Sequence, residues 1–139
     1  MKRSLVTRSV GQLLLLRQNQ DDPSEAEWMD CITQLDALLE AMNAGAPTAK
    51  VLVYTEGGAP TEKQRALLQR ALAKNPIRVA VITDNLKARI TSASVALGNR
   101  NQRSFSTSEW SRAYAYLGLS PEEKRAAEAT IKAMTNEVA

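Results

Sequence analysis

Between Thr55 and Thr61 the chain reads Thr-Glu-Gly-Gly-Ala-Pro-Thr, which brings two hydroxyls, a carboxylate and a glycine pair into one short stretch. Glycines such as Gly57 and Gly58 leave backbone N–H groups accessible, and a helix start immediately after them favours an anion. The stretch lacks the spacing and the lysine of a Walker motif, and it is no dinucleotide fingerprint. A plain glycine turn followed by a Thr61 cap accounts for the same residues. A second group, Thr83-Asp84-Asn85 with Arg89 beyond it, offers an acid, an amide and a cation. Helix capping explains the polar side chains of that group as well.

The wider composition restricts the chemistry. There is no histidine, so the commonest general base and the commonest metal ligand are both missing. With Cys31 as the only cysteine, an ordinary zinc site is excluded, and so is an internal disulfide. Cys31 reads as a small buried apolar residue on a helix, and a lone thiol fits a reducing compartment. No catalytic residue, metal or cofactor is therefore assigned, and an enzyme is disfavoured. The leucine run Leu13–Leu16 is closed by Arg17, too short for a signal sequence or a membrane span. The expected location is the cytoplasm.

Charge adds little. The balance is +3, and Asn85 to Arg112 carries Lys87, Arg89, Arg100, Arg103 and Arg112 against Glu109. Such a cluster suits an acidic or phosphate-bearing partner, but without interleaved aromatics it reads as a solvated basic face, and nucleic acid is not favoured. Trp110 and Tyr114 share helical spacing and are expected in the core; Tyr116 points elsewhere and is the better surface contact.

The positioning elements follow from periodicity. Ser4–Val10 and Gln12–Gln18 read as two strands turning at Gly11. Asp22-Pro23-Ser24-Glu25 starts a helix, with Asp22 as cap and Trp28, Ile32, Leu35, Leu39 and Met42 on one face. Lys50–Thr55 is a buried strand, and Thr61 with Gln64 forms a capping box for the next helix. Ile77–Thr83 is another strand. Asp84 or Asn85 caps a helix with Leu86, Ile90, Ala93 and Leu97 facing inward. Gln102–Phe105 is a short last strand, and Ser106 with Glu109 is a second capping box. Ser120-Pro121-Glu122-Glu123 opens a final helix whose apolar stripe, Ala127, Ile131, Met134 and Val138, is thin. The predicted class is α/β: a mixed sheet of four to five strands, an N-terminal antiparallel hairpin plus a parallel core, with crossover helices. Residues 1–119 form the domain; residues 120–139 form a C-terminal helix that packs on it or on a partner chain.

This order, from the strand pair through Val51–Thr55 and Ile77–Thr83 to the helix at Asp84, resembles a STAS-like domain over Ser4 to Leu119. The resemblance implies a small non-enzymatic regulatory module that docks a protein, with some relatives linked to nucleotides or lipids. Family members often carry Asp-Ser-Ser/Thr-Gly before the second crossover helix; the loop here has no serine, and Thr61 and Glu56 are its nearest hydroxyl and acid. The expected function is docking of a protein partner through Thr55, Glu56, Gly57, Gly58, Thr61, Asp84, Asn85 and Arg89. The alternatives are an anionic ligand or nucleotide at the Gly57-Gly58 loop, and self-association through the C-terminal helix.

Overall fold

A computed structural model describes residues 3–89 and 101–138. Gly11 lies in the tight turn between β1 (Leu5–Val10) and β2 (Leu13–Gln18), which pair antiparallel. The β2 sequence Leu-Leu-Leu-Leu-Arg-Gln has no polar alternation because every one of its side chains is buried. Such a run belongs in a sheet interior covered on both faces. The chain then continues through α1 (Glu25–Asn43), β3 (Lys50–Thr55), α2 (Glu62–Lys74), β4 (Arg78–Ile82), β5 (Gln102–Phe105), α3 (Trp110–Leu117) and α4 (Pro121–Thr135). Residues 86–89 form a helical turn; Ile90, Ala93, Leu97 and Arg100 lie outside the described residues.

The sheet order is β1-β2-β3-β4-β5, antiparallel in the first pair and parallel in the others. The α/β class and the mixed five-stranded sheet agree with the sequence pattern. One sheet face packs Leu14, Leu16, Val51, Val79 and Val81 against Trp28, Ile32 and Leu35 of α1 and Leu72 of α2. The other packs Leu13, Leu15, Leu52, Ala80 and Ile82 against Tyr114 and Leu117 of α3 and Ile131 and Met134 of α4. The thin stripe of the last helix is thus covered by its own sheet: Ala127 and Met134 are almost wholly buried. Cys31 is buried in the first core, and desolvation pushes its thiol up to about 12, so it stays protonated and inert at neutral pH.

Two expected caps fall elsewhere. The cap of α1 is Ser24, not Asp22, and it forms a capping box with Glu27. The expected box at Ser106 does not open a helix: α3 begins at Trp110, and Glu109 accepts from the Ser106 amide in the preceding turn, 2.8 Å. The Thr61–Gln64 and Ser120–Glu123 boxes form as expected.

Glu27 has a second task. Its carboxylate accepts from the Ser24 amide (2.8 Å), the Ser4 amide (2.8 Å), the Ser4 hydroxyl (2.5 Å) and the Leu5 amide (3.1 Å). Because Asn19 donates to the Ser4 carbonyl, the alternate groups at Leu5 and Thr7 face away from β2. Glu27 thus fastens the outer side of β1 at Leu5, and Gln34 does so at Thr7, donating to its carbonyl at 3.1 Å. Partial burial raises the Glu27 pKa, but the bonds from the Ser4 hydroxyl and the amides of Ser24, Leu5 and Ser4 outweigh it and hold the pKa near 2. A depressed carboxylate stabilises the fold above its unfolded value and loses that contribution as pH falls. Glu27→Gln is therefore expected to cost about 1–2 kcal/mol at pH 7, allowing for solvent screening. Urea unfolding at a series of pH values should show the difference shrinking as pH drops from 4.5 towards 2.

Candidate functional site

β3 and β4 run parallel in register Tyr54↔Ile82, so their trailing loops leave the same end of the sheet. The loops touch. Gly57 has φ +139, a backbone conformation that favours glycine, and a methyl group there would lie 2.8 Å from Asn85 Nδ2. Gly58 is closer still to the segment after β2: a methyl group there would meet the Asp21 carbonyl at 2.0 Å. Both glycines are set by close approach, not by an open cradle.

The loop's amides are consumed internally. Glu56 N–H donates to the Gln18 carbonyl (3.0 Å), Gly57 N–H to Thr55 Oγ1 (3.1 Å) and Gly58 N–H to the Asn19 carbonyl (2.8 Å). Ala59 N–H donates to Asp22 Oδ1 (3.3 Å), and Thr61 N–H to Gln64 Oε1 (2.9 Å). This corrects the expectation that the Gly57-Gly58 amides stand open to an anion. Thr55 is buried, its hydroxyl donating to the Gly58 carbonyl at 2.7 Å, while Thr61 caps α2. Both hydroxyls serve the backbone.

Glu56 alone in this loop presents a charge, and the loop holds it in place. Its carboxylate lies 2.5 Å from Arg17 Nη2, with side-chain exposures of 43% and 3% respectively. Arg17 also donates to the Gln18 carbonyl (2.6 Å) and to Thr135 Oγ1 of α4 (3.3 Å), and its guanidinium lies 4.3 Å from the Tyr54 ring centroid. A buried guanidinium needs such partners to offset its lost hydration.

In the neighbouring loop Asn85, not Asp84, caps the helical turn: Asn85 Oδ1 accepts from the Ala88 amide at 3.1 Å. Asp84 reaches the loop after β5, accepting from the Thr107 amide at 3.0 Å and from the Thr107 hydroxyl. Those two bonds lower its pKa. Arg89 Nε donates to the Thr83 carbonyl at 3.1 Å. The rim thus runs from Asp21 and Asp22 through Glu56-Gly57 and Asp84-Asn85 to Thr107, and all eight expected site residues lie on or just behind it. Leu86, expected to face inward, is 72% exposed directly after Asn85 of this rim. Sequence reasoning also missed Arg17, Asn19 and Thr107; only Arg17 gave a sign, as the one charge in a strand read as buried.

Beneath the rim lies an apolar slot of about 80 Å³ lined by Trp28, Val53, Ala59, Leu68, Val81 and Ala88 among others. Ligand pockets for drug-sized molecules run to roughly 300–1,000 Å³. Among the described residues no group of three His, Cys, Asp or Glu side chains is placed to hold a metal ion. No helix of the described residues is long and apolar enough to cross a membrane. No protein-family model, curated protein or solved structure matches this chain.

Proposed function

We propose that this chain is a STAS-like regulatory module of the cytoplasm that docks a protein partner through the rim after β3 and β4. The observation that carries the reading is Leu86, a large apolar side chain left 72% exposed between Asp84-Asn85 and Lys87. Apolar anchors ringed by polar groups are the pattern of a protein contact. The pre-ordered loops support it too, since contacts such as Glu56–Arg17 and Asp84–Thr107 reduce the ordering cost of binding. An anionic ligand fits this end poorly: its amides are occupied, and the loop tips carry Asp21, Asp22, Glu56 and Asp84.

Leu86→Arg tests the reading, because an exposed substitution leaves stability within about 0.5 kcal/mol. Affinity capture with the wild type, Leu86→Arg and a control at the other large exposed apolar side chain among the described residues, Met29→Arg, should show a protein retained by the first and third and lost from the second. Identical captured sets from all three would refute the rim. A saturable rise in Tm with ATP that Arg89→Ala abolishes would instead favour the ligand reading.

A further inference from the structure

At the opposite end of the sheet the electrostatics reverse. Arg78 opens β4 and Arg103 lies in β5, both exposed, and each guanidinium carbon is 5.0 Å from the centroid of the Tyr116 ring. That shared ring keeps the two charges within about 10 Å of each other, a Debye length at 0.1 M salt. The ring itself is held: the Tyr116 hydroxyl donates to the Asn101 carbonyl at 2.5 Å, and Phe105 packs beside it at 6.0 Å. Arg78 also donates to the Tyr116 carbonyl near the end of α3, 2.5 Å, a bond that uses one of the five N–H donors a guanidinium carries.

Two like charges ordered side by side are unfavourable unless an anion joins them. Among the described residues neither arginine has a carboxylate within ion-pair distance. The sequence between Arg89 and Asn101 contains no Asp or Glu. Alongside lies an open recess of about 300 Å³ lined by Thr48, Lys50, Pro76, Arg78 and Asn101 among others. Lys50 already faces Glu123 at 3.7 Å and the Gly118 carbonyl at 3.2 Å, so the unmatched charge belongs to the arginines.

We infer that the Arg78–Tyr116–Arg103 corner docks an acidic, carboxylate-rich peptide segment. Paired guanidiniums match carboxylates in fork geometry, and the tyrosine contact has already restricted both side chains, which lowers the ordering cost of binding. A nucleic-acid strand fits less well, since the Tyr116 ring is occupied by the guanidiniums and Phe105 beside it is buried, which leaves no stacking platform. This surface is independent of the rim after β3 and β4, and either can fail alone.

Fluorescence anisotropy of a labelled octaglutamate peptide provides the test. Wild-type protein at about 50 mM salt should bind it saturably and weaken several-fold as salt is raised. Arg78→Gln/Arg103→Gln should weaken binding by about tenfold or more. The control Lys63→Gln/Lys132→Gln removes the same net charge from exposed positions elsewhere and should stay within about twofold. Circular dichroism of both double variants should match the wild type. Equal loss in the two double variants would reduce the effect to overall charge and overturn the proposal. So would absence of wild-type binding at millimolar protein, or tighter binding of an oligothymidylate of equal charge.

Discussion

Gly58→Ala is expected to destabilise the protein by more than about 3 kcal/mol, beyond the ordinary cost of an added methyl group. The new carbon would lie 2.0 Å from the Asp21 carbonyl and 2.7 Å from the Asn19 carbonyl, both backbone atoms that no rotamer change can move. Relief requires the segment after β2 to retreat, which would also break the Gly58 amide bond to Asn19. Gly57→Ala meets only a side chain, that of Asn85 with Nδ2 at 2.8 Å, and should cost about 1–3 kcal/mol through its strained φ and the displaced Asn85 cap. Urea midpoints at constant m would separate the two. A Gly58→Ala variant within about 1 kcal/mol of wild type would mean that these segments do not approach as described.

The second large effect is asymmetric. Glu56→Ala strands a guanidinium whose side chain is 3% exposed, whereas Arg17→Met releases a carboxylate that is 43% exposed and is readily hydrated. Removing one partner of a fully buried pair costs about 3–5 kcal/mol; with Glu56 half in water, about 2–3 kcal/mol is expected for Glu56→Ala. Arg17→Met should cost less, because methionine fills much of the same space without a charge. The double variant Arg17→Met/Glu56→Ala should therefore be more stable than Glu56→Ala alone. Chemical denaturation of the four proteins completes the cycle, and strictly additive losses would show that the two side chains are not coupled.

Much of the architecture was legible because it rests on local signals. The continuous leucines of β2, the β-forming runs at Lys50–Thr55 and Arg78–Ile82, and the boxes at Thr61 and Ser120 each act within a few residues. The placement of both loops at one sheet end followed from parallel pairing alone. What could not be read depends on contacts distant in sequence. Nothing near Gly58 announces that its amide is taken by Asn19, nor that Asp84 answers to Thr107 while Asn85 caps. Leu86 fits the inward helical period, yet in the turn after the Asn85 cap it is Ala88 that is buried and Leu86 that is exposed. The weak stripe of α4 sufficed because small residues such as Ala127 let that helix settle closely on β1 and β2.

The way α1 fastens β1 bears on how the chain resists aggregation. A β-forming strand at a sheet margin can template intermolecular pairing, and the leucine-rich hairpin behind it would feed such growth. Glu27 and Gln34 occupy backbone groups that an incoming chain would need, so self-recognition along that margin is blocked by side chains of the same molecule. Because the Glu27 part of this guard is a carboxylate that gains its proton only near pH 2, strong acid both weakens the fold and unmasks the strand. Fibrillar or amorphous deposits should then arise from strongly acidified solutions sooner than from neutral ones heated to the same loss of structure.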